Sequence, residues 1–129
     1  MLIANPVSDR SLQEEYCKAC GAVYDPEFLM FAAEDNGELL GIFQFSLSGA
    51  TANVTDIRPR IGVEDFEGMF ILTRGALNYI DLCGIHHARC TPETGDLTLI
   101  RAVGFKEIEK GLFDMDLTDQ FTGKCTHCK

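Results

Sequence analysis

The sequence predicts a single α/β domain built on a mixed sheet, and three observations predict it. Three apolar, β-rich runs follow one another between residues 28 and 57 with only turn signals between them, which reads as an antiparallel meander. A long stretch of helical periodicity, residues 65–82, comes next. A strand, a shorter helix and a further strand or hairpin then follow, and strand–helix–strand units after a meander place helices on the faces of a mixed sheet. At 129 residues the chain supports one core and one site. Residues 1–117 are read as the domain and residues 118–129 as a polar tail.

The order of elements is strand, helix, three meander strands, long helix, strand, short helix, strand. Leu12, Tyr16, Ala19 and Cys20 recur at helical spacing, with Ser8 or Ser11 as the expected cap and Gly21 as the stop. Phe28 to Ala33 is a buried strand, and Glu34-Asp35-Asn36-Gly37-Glu38 is the hairpin turn into a second strand, Leu39 to Leu47. Ser48-Gly49 turns the chain into a third strand from Ala50 to Ile57. Phe66, Met69, Phe70, Leu72, Ala76, Leu77, Tyr79 and Ile80 form the apolar stripe of the long helix, which ends near Gly84. His86 to Cys90 is a short strand, Asp96 caps a helix that stops at Gly104-Phe105, and Lys106 to Leu117 closes the sheet.

Composition narrows the functions. Apolar residues make up 46% of the chain and charged ones 24%, the balance of a folded globular protein. A net charge of −9 opposes a phosphate backbone or an anionic membrane surface, so neither nucleic acid nor membrane is an expected partner. The opening residues lack a basic, secretory-type pattern, and no run approaches the roughly 20 apolar residues of a membrane span. A cytoplasmic location is therefore expected, and with it reduced cysteines.

Two local sequences in this order carry a family resemblance. The first is Ile57-Arg58-Pro59 at the end of the third meander strand, a loop, Gly68-Met69 opening the long helix, and Gly84-Ile85 after it. The second is Leu99-Ile100-Arg101-Ala102-Val103-Gly104-Phe105 followed by a strand. Together they resemble the GNAT N-acetyltransferase superfamily over about residues 28–117. The resemblance implies a GNAT-like acyl-CoA N-acyltransferase fold and acetyl-CoA as cofactor. It also implies an amine acceptor, either a small molecule or a Lys-containing peptide, and a homodimer of the kind family members form. In such proteins amides at the start of the long helix hold the coenzyme's pyrophosphate, since a helix start is positive and has unpaired donors. The splayed end of the preceding strand pairs with the pantetheine arm. On this basis Ile57, Arg58, Arg60, Gly68 and Met69 are the expected coenzyme-site residues, and Asp56 is the candidate base.

The sequence also departs from that pattern. Its loop, Val63-Glu64-Asp65-Phe66-Glu67-Gly68, keeps only the last glycine and adds three carboxylates where an anion would sit. Ile100 stands where the family has a proton-donating Tyr. Glu93 falls near a substrate-side Asn position, although Thr91-Pro92-Glu93-Thr94-Gly95 reads equally as a turn. His86 and His87 are further proton carriers by type, with a structural role as the alternative. These departures make a non-catalytic GNAT-like binding or regulatory domain the alternative to an N-acetyltransferase.

Cys17-Lys18-Ala19-Cys20 and Cys125-Thr126-His127-Cys128 are two C-x-x-C pairs, the ligand set of a closed tetrahedral zinc site. Such a site would tie the first helix to the tail. The alternative is that Cys17 and Cys20 are small apolar residues on the buried face of that helix.

Overall fold

The computed structural model describes residues 1–118, 120 and 121. Its elements are β1 (Leu2–Val7), α1 (Arg10–Cys20), β2 (Leu29–Asp35), β3 (Glu38–Ser48), β4 (Thr51–Pro59), α2 (Phe66–Leu82), β5 (His87–Cys90), α3 (Leu97–Val103), β6 (Lys106–Glu109) and β7 (Leu112–Asp116). The expected α/β class and mixed sheet are found. Among the described residues the sheet has seven strands in the order β1-β2-β3-β4-β5-β7-β6. Neighbours β1 to β4 pair antiparallel, β4 and β5 pair parallel, and β7 returns antiparallel to β5.

Alternation along the strands builds two cores. Phe31, Ala33, Phe43, Phe45, Val54 and Ile57 face α2 and α3, where Met69, Leu72, Ala76, Leu77, Ile80, Leu99, Ile100 and Val103 close the larger cluster. Met30, Ala32 and Ile42 point the other way, onto Cys17 and Cys20 of α1. Leu72 and Leu77 are fully buried, each contributing about 1.5–3 kcal/mol by removal from water. The hairpin turn is the two-residue Asn36-Gly37, both at positive φ (54° and 85°), as a primed turn requires.

One local expectation is corrected. Neither serine caps α1: Asp9 does, its carboxylate accepting the Leu12 N–H at 3.1 Å, while Ser8 and Ser11 flank it. Of the strand or hairpin expected over Lys106 to Leu117, the hairpin is found: two strands with the turn at Lys110-Gly111. The chain reverses there because Glu107 pairs with Phe113 and Gly111 takes a positive φ of 80°. No helix of the described residues is long and apolar enough to cross a membrane.

Candidate functional site

The parallel junction between β4 and β5 lasts only from Thr51–His87 to Asn53–Arg89. Beyond it the two strands part. Opposite, the pairing of β4 with β3 skips a residue: Gln44 faces Asp56 and Phe45 faces Val54, so Thr55 bulges and donates its hydroxyl to the Gln44 carbonyl at 3.1 Å. A bulge bends the strand and re-aims its side chains.

That bulge turns Asp56 toward the α1 face, into a buried polar network. One Asp56 oxygen accepts from Gln44 Nε2 at 2.7 Å and the other from Arg58 Nε at 2.8 Å. The Cys17 thiol donates to Gln44 Oε1 at 3.3 Å, and Gln44 Nε2 also reaches the Val23 carbonyl at 3.3 Å. The Asp56 side chain is 12% exposed and that of Arg58 37%. Arg58 spends a second donor, Nη2, on the Glu93 carbonyl at 2.9 Å.

At the other end of the opening lies the start of α2. A cleft of about 450 Å³ is lined there by Ile57, Pro59, Val63, Phe66, Met69 and Leu99, with Glu64, Asp65 and Asp96 also contributing. Asp65 is the N-cap, its carboxylate taking the Gly68 N–H at 2.9 Å. Met69 is buried beneath the turn, and Arg60 donates Nε to the Leu39 carbonyl at 2.8 Å with Glu38 4.0 Å away. The sequence-selected set Asp56, Ile57, Arg58, Arg60, Gly68 and Met69 therefore lies around one end of β4 and the beginning of α2.

The other titratable candidates lie elsewhere. His87 sits opposite Thr51, six residues down β4 from Ile57 and so about 20 Å from it along the strand. His87 pairs with Asp114 at 3.4 Å and His86 Nδ1 meets Asp81 at 2.6 Å, both away from the opening. Cys17 and Cys20 are buried, and desolvation raises both thiols, that of Cys20 to about 12. They pack against Met30, Ala32 and Ile42 beneath α1. Cys125 and Cys128 lie outside the described residues, and no cluster of metal-ligating side chains occurs among those described. Burial also raises Cys90 and Tyr16 to about 12.

These raised values link stability to pH. A group whose folded pKa exceeds its unfolded one stabilises fully below the unfolded value, and that stability fades as pH climbs to the folded one. For Cys20 and Cys90 the window runs from 9.0 to about 12. The urea midpoint is expected to hold between neutral pH and about pH 8.5, below the free-thiol range, and then to fall steadily. A midpoint unchanged up to pH 11 or so would show that these thiols are not desolvated as described.

No protein-family model and no curated protein matches the sequence. Solved structures do. The ribosomal-protein-S18-alanine N-acetyltransferase of Escherichia coli superposes with a TM-score of 0.71 at 11% identity, over 91% of this chain and 94% of that one. PaiA N-acetyltransferase from Thermoplasma acidophilum, solved with coenzyme A, gives 0.67 at 12% identity over 90% and 99%. A GNAT family acetyltransferase from Brucella melitensis, solved with acetyl-CoA, gives 0.66 at 17% identity over 90% and 88%. The chain has the GNAT acetyltransferase fold.

In a GNAT fold the opening beside β4 and the first turn of α2 are where coenzyme A would lie, and the residues present do not fit it. The Gly68 N–H is spent on Asp65, and Glu64, Asp65 and Glu67 set negative charge against a pyrophosphate. Like charges 4 Å apart repel by about 1–4 kcal/mol at effective dielectrics between water and a protein surface. Arg58 and Arg60, the nearby cations, are held by Asp56, Glu93 and Leu39. Along β4 the Val54 carbonyl accepts from Thr94 Oγ1 at 2.9 Å, and Ile57 is bridged in parallel to Gly95. Ile100, where GNAT enzymes carry a Tyr, is fully buried. Two residues important here escaped the sequence reading. Gln44 was legible as one amide inside the apolar run Ile42–Phe45, and Thr94 as the last residue of a capping box closed on Thr91.

Proposed function

We propose that this chain is a non-catalytic GNAT-fold binding domain for a cationic partner, an amine or a basic peptide segment. The observation that carries the reading is the start of α2, where the Gly68 amide is capped internally by the Asp65 carboxylate and the flank bears Glu64 and Glu67. A helix start so furnished repels the anion it would otherwise attract. The cleft keeps an apolar floor with carboxylates at its rim, and the net charge of −9 steers cations toward it. Acetyl-CoA titrated calorimetrically into the protein is expected to show no saturable heat, with any Kd weaker than about 1 mM. Spermine is expected to bind with an affinity that falls as salt is added. Micromolar acetyl-CoA binding would overturn the reading.

A second reading, an acetyl-CoA-dependent N-acetyltransferase with an amine acceptor, is favoured by the bulge at Thr55, which sets Asp56 beside the opening as a candidate base. The acetyltransferases solved with coenzyme A or acetyl-CoA share the fold that supports it. Its mark would be acetyl transfer to an amine that Asp56→Asn abolishes while the folded state persists.

A further inference from the structure

We infer that residues 92–95 form a built-in occupant of the pantetheine slot, an internal segment that takes the hydrogen bonds of β4 which a coenzyme arm would otherwise make. Three contacts converge on this. Thr94, only 1% exposed, donates its hydroxyl to the Val54 carbonyl at 2.9 Å. Gly95 forms a parallel bridge with Ile57, although β5 itself leaves β4 at Arg89. A Cβ built on Gly95 would overlap the Ile57 carbonyl oxygen, so the segment lies against the strand as closely as a backbone can. Arg58, anchored at Asp56, donates to the Glu93 carbonyl at 2.9 Å and holds the segment from the α1 face.

The Thr94 bond serves a β4 carbonyl that the parting of β4 and β5 would leave unpaired, and a buried backbone carbonyl without a donor is costly. The segment is also pre-shaped. Pro92 fixes the turn's first residue, and Thr91 and Thr94 close a capping box, with the Thr91 N–H reaching Thr94 Oγ1 at 3.2 Å. One hydroxyl thus shapes the turn and docks it. An extended pantetheine arm and this segment cannot occupy the same edge of β4.

This inference rests on the GNAT-fold placement of the slot and not on the charge at α2. Pantetheine, which carries no phosphate, is therefore the probe that separates the two. Hydrogen exchange of the wild-type chain is expected to show the amides of residues 57–58 and 95–96 protected and unmoved by millimolar pantetheine. Thr94→Val, losing both bonds of that hydroxyl, is expected to speed their exchange about tenfold, whereas Thr94→Ser stays at the wild-type rate. Gly95→Ala forces the segment off Ile57, and in that variant pantetheine is expected to restore protection at residues 57–58. The inference is overturned if wild-type protein binds pantetheine, or if Thr94→Val exchanges like wild type. Acetyl-CoA refused by a variant that accepts pantetheine would leave the segment's role standing and assign the refusal to the acidic helix start.

Discussion

Truncating Phe43 to alanine is expected to cost about 3–5 kcal/mol of folding stability, the range for removing an aromatic ring from a core that cannot collapse around the void. Phe43 is fully buried in the middle of β3, opposite Phe31 on one neighbouring strand and Ile57 on the other. Its ring lies 5.7 Å from that of Phe45 at a tilt of 58°, an arrangement aromatic pairs favour. Small domains have about 5–15 kcal/mol in total, so this variant should sit close to the limit of folding at 37 °C. Phe43→Leu, which keeps most of the volume, should lose far less. Urea unfolding followed by circular dichroism gives both values, and a loss under about 1 kcal/mol for Phe43→Ala would mean that the core closes over the gap.

The fold was legible because its signals are local and redundant. The Asn36-Gly37 turn, the apolar stripe of α2 and the alternation that sends Phe31 and Phe43 to one face and Met30 and Ile42 to the other are written within a few residues each. The same signals put Ile57-Arg58-Pro59 at the end of the strand that precedes α2. What occupies the site was not legible. The cap on α1 was misassigned because Ser8, Asp9 and Ser11 are all capping types, and only the path of the chain selects Asp9.

The contact between Thr94 and Val54 joins residues 40 apart, and that between Arg58 and Glu93 residues 35 apart. No periodicity records such meetings. Thr91-Pro92-Glu93-Thr94-Gly95 reads as a turn, and a turn it is; that it docks into the opening of the sheet depends on how far β4 and β5 diverge. The buried cysteines show the same limit from the other side. The C-x-x-C spacing on α1 satisfies a metal-site pattern and equally an i, i+3 apolar stripe; Cys17 and Cys20 are buried, while Cys125 and Cys128 lie outside the described residues.

Asp56 is the residue for which the catalytic and the structural readings make opposite predictions. As a solvated base it could be removed with no effect on folding. Placed as it is, Asp56→Ala is expected to destabilise the chain by about 2–3 kcal/mol, because the Gln44 amide, 1% exposed, loses its close acceptor. The ion pair with Arg58 adds little to that loss, since that guanidinium is 37% exposed and water can replace the carboxylate. Arg58→Ala should cost about 1–3 kcal/mol, because it leaves the Asp56 carboxylate, 12% exposed, without its cation. Asp56→Asn should fall between wild type and Asp56→Ala, retaining one acceptor for Gln44. The decisive comparison is the double variant Gln44→Leu, Asp56→Leu. Replacing both partners removes the Gln44–Asp56 bond without stranding either member and, of the buried groups, leaves only the weak Cys17 thiol donor without its acceptor, so it should lie closer to wild type than the sum of the two single changes by about 1–3 kcal/mol. Strict additivity would mean that the two side chains do not sustain each other, and Asp56 would then be free for proton transfer at the opening of the sheet.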